Sequence, residues 1–146
     1  MKIDKNPEST LSGGCLCGQL RYQISGPRRS VINCHCENCR RTHGHIAAYT
    51  SVDKKDLVLQ KQESLIWFHD QSPNAYRGFC GSCGSSLFWD AADRNNKMAV
   101  AAGTLDSGHG LKTIGHIYVS EMGEYYQIED SLPQFQTSSD GELDGL

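Results

Sequence analysis

The sequence lacks long hydrophobic runs and has no excess of positive charge. None of its segments approaches the roughly 20 apolar residues of a membrane-spanning helix, and its first residues, "MKIDKNPESTLSGG", contain no apolar core of a secretory signal. The 14 Lys and Arg residues are outnumbered by 17 Asp and Glu residues, so the formal charge is −3. A nucleic-acid or anionic-membrane surface needs clustered positive charge, and neither partner is expected. We therefore expect a cytoplasmic protein.

Apolar residues are also scarce for one domain of this length. They make up 38% of the 146 residues, and 15 glycines indicate many turns. A chain with so much loop often needs a cross-link, and seven cysteines are available. In a reducing compartment clustered thiols bind metal more often than they form disulfides, and an odd number cannot all pair. We expect metal sites.

Apolar residues alternate with polar ones in short segments, which predicts an all-β fold with short helical turns. Alternation is clear in "GQLRYQIS", and apolar runs follow at "IAAYTSV", "LVLQ", "SLIWFHD", "SLFWD", "KMAVAAGTL" and "IGHIYV". The best helical candidate is a turn or two around "ENCRRTH". Residues 13–135 are expected to form one domain, between a flexible N-terminus (1–12) and a flexible acidic tail (136–146).

Two cysteine pairs have the spacing of a structural zinc site. "GGCLCGQL" contains Cys15 and Cys17, and "FCGSCGSS" contains Cys80 and Cys83 with a glycine after each cysteine. Glycine permits a tight turn whose N–H groups point at the sulfurs. Two such pairs supply the four tetrahedral ligands that zinc requires. The alternatives are buried small apolar residues or a redox pair.

The three remaining cysteines predict an open metal site. Cys34, Cys36 and Cys39 lie in "INCHCENCRR", and three thiolates leave one coordination position for a substrate, as in catalytic zinc sites. A thiol that binds there loses its proton. His43 or His45 as a fourth ligand would instead close the site, and His35 is expected to point away.

Positive side chains near the open site are candidates for binding substrate. Arg40 and Arg41 can offset the charge of the sulfurs or hold a carboxylate, although solvated surface arginines are the alternative. His43 is the third candidate, as a residue that lines the cleft. Arg21 or Arg77 can approach the site in the folded chain.

These motifs resemble a known family. The series "GGCLCGQLRY", "CHCENCRRTHG", "FCGSCGSSLFW", "GTLD" and "HIYVSE…SLPQF", from about Gly13 to Phe135, is similar to the glutathione-dependent formaldehyde-activating enzymes, a family shared with centromere protein V. The resemblance implies a β-tent fold, a structural zinc on the first and last cysteine pairs and a second zinc on Cys34, Cys36 and Cys39. Members commonly have Ser or Thr where this chain has His43.

Two hypotheses about function follow. The first is a zinc-dependent carbon–sulfur lyase that joins or cleaves an adduct of a small thiol, such as glutathione, and an aldehyde, such as formaldehyde. Cys34, Cys36 and Cys39 would then hold the catalytic zinc, with two zinc ions per chain and the second bound more weakly. The alternative is a non-catalytic zinc module that recognises a protein partner. The open position favours the enzyme, because a scaffold gains nothing from it.

Overall fold

The structure, a computed structural model, describes residues 3–4, 9–94 and 96–143. Within these ranges the chain forms twelve strands and one α-helix, which confirms the all-β class. The strands are β1 Ile3–Asp4, β2 Leu11–Gly14, β3 Arg21–Ile24, β4 Arg28–Arg29, β5 Val31–Cys34, β6 Ala47–Asp53, β7 Leu57–Lys61, β8 Leu65–Gln71, β9 Asn74–Cys80, β10 Ser86–Ala91, β11 Lys97–Ala101 and β12 Thr113–Ile117. The helix, α1, is Glu37–His43.

The strands form two sheets. The larger sheet has the order β1-β4-β6-β11-β10-β9-β8, and β5 pairs with both β6 and β12. The smaller sheet is antiparallel, in the order β2-β3-β7. Most pairs are antiparallel, but β12 runs parallel to β5, with Ile117 opposite Cys34. No helix among the described residues is long and apolar enough to cross a membrane.

The main core lies where the two sheets meet. Tyr22 and Ile24 alternate along β3 with the more accessible Arg21 and Gln23, as the sequence predicts, and both are fully buried. The ring of Tyr22 packs edge-on against Phe88 of β10, with centroids 5.5 Å apart. Cys15 and Cys80 belong to the same buried cluster. Two of the four cysteines predicted to bind a structural zinc therefore pack in the core between the sheets.

Helix α1 coincides with the predicted "ENCRRTH" segment, and a capping residue flanks it at each end. Cys36 is the N-cap, and its sulfur accepts a hydrogen bond from the backbone N–H of Cys39. Gly44 ends the helix in the left-handed conformation at φ 79°, which glycine adopts without steric cost. One short helix thus positions two of the three cysteines of the predicted open site, Cys36 at its N-cap and Cys39 in its first turn.

The described part of the tail, residues 136–143, contacts the body of the protein. The backbone N–H of Tyr118 donates to the carbonyl of Thr137 at 2.9 Å. Leu143 is 2% exposed, and a Cβ at Gly115 would lie 2.6 Å from its Cδ1. The flexibility of this tail remains a prediction. In the N-terminal segment predicted to be flexible, residues 1–2 and 5–8 lie outside the described residues.

We predict that Leu143→Ala lowers the free energy of unfolding by about 2 kcal/mol, because it removes a buried side chain and leaves a cavity. Leu16→Ala is the matched control, since Leu16 is 88% exposed, and its effect should stay within about 0.5 kcal/mol. Urea titrations of both variants test this. Equal stability of the two variants would mean that residues 136–143 do not pack in solution.

Candidate metal centre

The sulfur atoms of Cys15, Cys17, Cys80 and Cys83 form the first group. They all lie within 4.8 Å of one another. The sulfurs of Cys15 and Cys17 are 3.5 Å apart, and those of Cys17 and Cys80 are 3.8 Å apart. Tetrahedral zinc with Zn–S bonds near 2.3 Å requires sulfur–sulfur distances of about 3.8 Å. The donor set and its spacing therefore fit a zinc ion.

Two tight turns hold this group. Cys15 and Cys17 follow strand β2, and the backbone N–H of Leu20 donates to the sulfur of Cys15 at 3.2 Å. Cys80 ends β9, and its sulfur accepts from the N–H of Cys83 at 3.4 Å. Hydrogen bonds from Ser85 lower the pKa of Cys83 to about 5. Such N–H and O–H donors stabilise thiolates, the form that binds metal.

Cys34, Cys36 and Cys39 form the second group, and their sulfurs also lie within 4.8 Å of one another. Cys34 ends β5, Cys36 caps α1 and Cys39 lies in its first turn. Cys34 and Cys39 are buried and Cys36 is half-buried. Among the described residues, no histidine or carboxylate completes this group as a fourth ligand.

The three thiols of the second group influence one another's pKa values. Hydrogen bonds from Cys34 and Cys39 lower the pKa of Cys36 to about 2, whereas the hydrogen bond with Cys36 raises the pKa of Cys34. A divalent cation offsets the charge of three adjacent thiolates.

Arg77 of β9 reaches the second group. It is 6% exposed, and both terminal nitrogens of its guanidinium lie 4.0 Å from the sulfur of Cys39. Burial alone would lower the pKa of Arg77, but the neighbouring Cys39 and Tyr49 and the hydrogen bonds with Asp70 and Cys39 raise it. Asp70 accepts from Arg77 Nε at 3.1 Å and from Asn38 Nδ2 at 3.0 Å. Arg77 is therefore a fixed positive charge beside the sulfurs.

Arg21, the other arginine expected to approach, pairs instead with Asp106. Arg40 and Arg41 are not among the residues that line the cleft beside the second group. The Arg41 side chain is 71% exposed and pairs with Glu37 one turn earlier in α1. The helix directs Cys39 inward and Arg41 toward solvent, and substrate binding by Arg40 or Arg41 stays a prediction.

His43 and His45 bind tyrosines rather than joining the second group. His43 Nε2 lies 2.6 Å from the hydroxyl of Tyr49, and His45 Nδ1 lies 2.7 Å from that of Tyr125. His43 does not line the cleft, but Tyr49 does. Burial and the charge of Arg77 lower the pKa of His43 to about 4, so its imidazole is neutral at pH 7.

A cleft of about 1050 Å³ opens beside the second group. All three cysteines line it, together with Tyr49 and Arg77. Further along its wall are Trp89, Arg94, Tyr118, Glu121 and residues 138–141. The indole nitrogen of Trp89 is buried and has no hydrogen-bond partner among the described residues. The cleft is large enough for a small-molecule substrate.

Two comparisons with known proteins find similarity to this chain. The model of the family described as glutathione-dependent formaldehyde-activating enzyme matches residues 10–121, which include all seven cysteines and Arg77. The crystal structure of a protein from Rhodobacter sphaeroides is similar in fold, with a TM-score of 0.55 and 22% identity over 70% of this chain and 97% of that chain. A search of curated proteins finds no match.

We predict that serine substitutions separate the two cysteine groups. Cys83→Ser should unfold or strongly destabilise the protein, because the free energy of binding a structural zinc, on the order of 10 kcal/mol, is largely folding free energy. Cys39→Ser should lose one zinc ion and stay folded. Thermal melts combined with elemental analysis of zinc per chain decide this. Equal destabilisation by both substitutions would make both groups structural.

Proposed function

This chain belongs to the glutathione-dependent formaldehyde-activating enzyme family, and from that premise we propose that it is a zinc-dependent carbon–sulfur lyase. Its substrates are a small thiol such as glutathione and an aldehyde such as formaldehyde. In the forward direction the sulfur attacks the carbonyl carbon and a C–S bond forms. The C=O π bond breaks, and the oxygen takes up the proton that the thiol gave up. Cleavage of the adduct is the reverse.

The observation that carries this proposal is a group of three thiols that lines a cleft. Cys34, Cys36 and Cys39 lie within 4.8 Å of one another beside a volume of about 1050 Å³. Zinc bound by these residues would stabilise the thiolate form of an approaching substrate thiol at neutral pH. In our proposal the first group has a structural role. Its four sulfurs would fill all four coordination positions of a tetrahedral zinc ion and leave none for a substrate.

Arg77 supplies the charge that the substrate requires. Three thiolates on one divalent ion carry a net charge of about −1, and a fourth thiolate brings it to about −2. A guanidinium 4.0 Å from the sulfur of Cys39 offsets this charge. The contact with Asp70 keeps the guanidinium in place before the substrate arrives, which lowers the cost of reorganisation.

Tyr49 and His43 are suited to handle the proton. Burial raises the pKa of Tyr49, so its hydroxyl keeps a proton at neutral pH. Tyr49 lines the cleft, and its hydroxyl is hydrogen-bonded to the neutral imidazole of His43. The pair can donate a proton to the aldehyde oxygen and recover it from the thiol. His43 thus acts through Tyr49, one contact away from the cleft.

The alternative, a zinc module that recognises a protein partner, is less well supported. Such a module needs rigid ligands but no vacant coordination position. The enzyme is therefore the function that we propose.

We predict that cobalt-substituted protein changes its visible spectrum when millimolar glutathione is added, because a sulfur that enters the coordination shell alters the ligand field. S-methylglutathione is the matched control ligand, since it has no thiol to ionise, and should leave the spectrum unchanged. Cys39→Ser should abolish the response. If neither glutathione nor other small thiols change the wild-type spectrum, the thiol mechanism is wrong.

We further predict that Arg77→Lys lowers kcat/KM for adduct formation on the order of tenfold while zinc content is retained. Lysine keeps the charge but loses the planar guanidinium that contacts Asp70 and Cys39 together, and a charge-assisted hydrogen bond contributes about 1.5–3 kcal/mol. Arg21→Lys is the control, because Arg21 is also paired with an aspartate but lies outside the cleft lining. Steady-state kinetics on both variants test this. Equal activities would remove Arg77 from the mechanism.

A further inference from the structure

A line of four hydrogen-bonded side chains lies behind the second cysteine group. His35, between Cys34 and Cys36, directs its ring away from the sulfurs, with Nδ1 2.6 Å from the hydroxyl of Tyr126. Its Nε2 lies 2.8 Å from Nδ1 of His116, in β12. His116 Nε2 lies 3.0 Å from a carboxylate oxygen of Asp130. The line therefore reads Tyr126–His35–His116–Asp130.

The two imidazoles of this line are buried. His35 is 0% and His116 is 3% exposed, whereas the Asp130 side chain is 46% exposed. Burial disfavours a charge on either ring, and an unpaired ring nitrogen would carry a full desolvation cost. All four ring nitrogens have partners here. The rings are thus held by directed bonds rather than by packing alone.

One arrangement of protons satisfies the whole line with both rings neutral. An ionised Asp130 accepts from Nε2–H of His116, which leaves Nδ1 of His116 as an acceptor. Nε2–H of His35 then donates to it, and Nδ1 of His35 accepts from the hydroxyl of Tyr126. Hydrogen bonds that point in one direction along a chain strengthen one another.

The backbone around the line ties the same elements together. The N–H of His35 donates to the carbonyl of Ile117 at 3.0 Å, in the parallel pair of β5 and β12. The N–H of His116 donates to Pro133 at 2.9 Å. Tyr126 and Asp130 both follow residue 121, where the family match ends. The segment after residue 121 is thus hydrogen-bonded to His35 directly by Tyr126 and, through His116, by Asp130.

We propose that the line Tyr126–His35–His116–Asp130 is a positioning device, which fixes the tautomer and orientation of His35 and thereby the spacing of Cys34 and Cys36 for metal binding. The inference rests on the proposed metal site at Cys34, Cys36 and Cys39. Hydrogen-bonded partners behind metal ligands typically contribute 10- to 100-fold in metal affinity. Here the partner acts on the residue between two ligands rather than on a ligand itself.

The proton arrangement is tested by long-range ¹H–¹⁵N spectra of the full-length protein, with and without zinc. We expect His35 and His116 both to carry their proton on Nε2. A proton on Nδ1 of His35, or averaging between tautomers, would overturn the proposed line. This readout does not depend on metal binding, so its failure is distinguishable from failure of the proposed function.

The positioning role is tested by zinc affinity at the second site, measured by competition with a chromophoric chelator. Tyr126→Phe and Asp130→Ala should each weaken binding about tenfold, and the double variant should also lose about tenfold rather than about a hundredfold, because both ends act through the same two rings. Asp130→Asn, which keeps an acceptor oxygen, should bind zinc nearly as well as the unmodified protein.

Tyr125→Phe is the matched control, because the hydroxyl of Tyr125 bonds His45 and lies outside the line. It should leave zinc affinity unchanged, and the zinc at the first group should be retained in every variant. Unchanged affinity in Tyr126→Phe and Asp130→Ala, or additive losses in the double variant, would overturn the positioning role. A wild-type protein that binds no second zinc would instead overturn the proposed function.

Discussion

The close approach of cysteine sulfurs is the constraint on which this structure depends, because thiolates at such distances repel one another. The chain gathers seven sulfurs into two groups, each with its members within 4.8 Å. Backbone N–H groups and Ser85 partly offset the charge of the first group, and Arg77 partly offsets that of the second. These donors cannot compensate three or four thiolates, so each group favours a divalent cation. The first group also joins the two sheets, since Cys15 follows β2 and Cys80 ends β9.

Local patterns in the sequence predict much of this fold. Alternation predicts β3, apolar runs predict β6, β8 and β10, and the segment after Cys36 predicts the one α-helix, all of which the structure confirms. Strand β9 is not predicted by these patterns. Its sequence, "NAYRGFC", contains Asn and Gly, which are unfavourable in strands, and it shows no clear alternation. It is a central strand, paired with β8 and β10. Arg77 bonds Asp70 there and Gly78 lies against Trp67, and only the folded chain provides these partners.

The sequence predicts the cysteines of the candidate site better than it predicts the side chains around them. Spacing divides the cysteines into groups of two, three and two. The four ligands that zinc requires predict that the first and last pairs combine, as the sulfur groups show. Nearness in sequence did not predict which arginine lies beside the sulfurs of the second group. Each residue of a helix turns by about 100° from the last, so Arg41 faces solvent although it is two positions from Cys39. Arg77, 38 positions away, reaches Cys39 through the pairing of β8 with β9.

The two cysteine groups differ in what lies around them rather than in ligand chemistry. The first lies at a joint between sheets, where four ligands from two turns leave no coordination position for another group. The second has β5 and β12 behind it and a cleft in front. On the side away from the cleft, the segment that carries Cys34 is held by backbone pairing with β12 and by His35, which is 0% exposed. A three-ligand site binds metal less tightly than a four-ligand site unless its loop is held in place beforehand. At the proposed metal site, rigidity behind the sulfurs would permit an open coordination position in front of them.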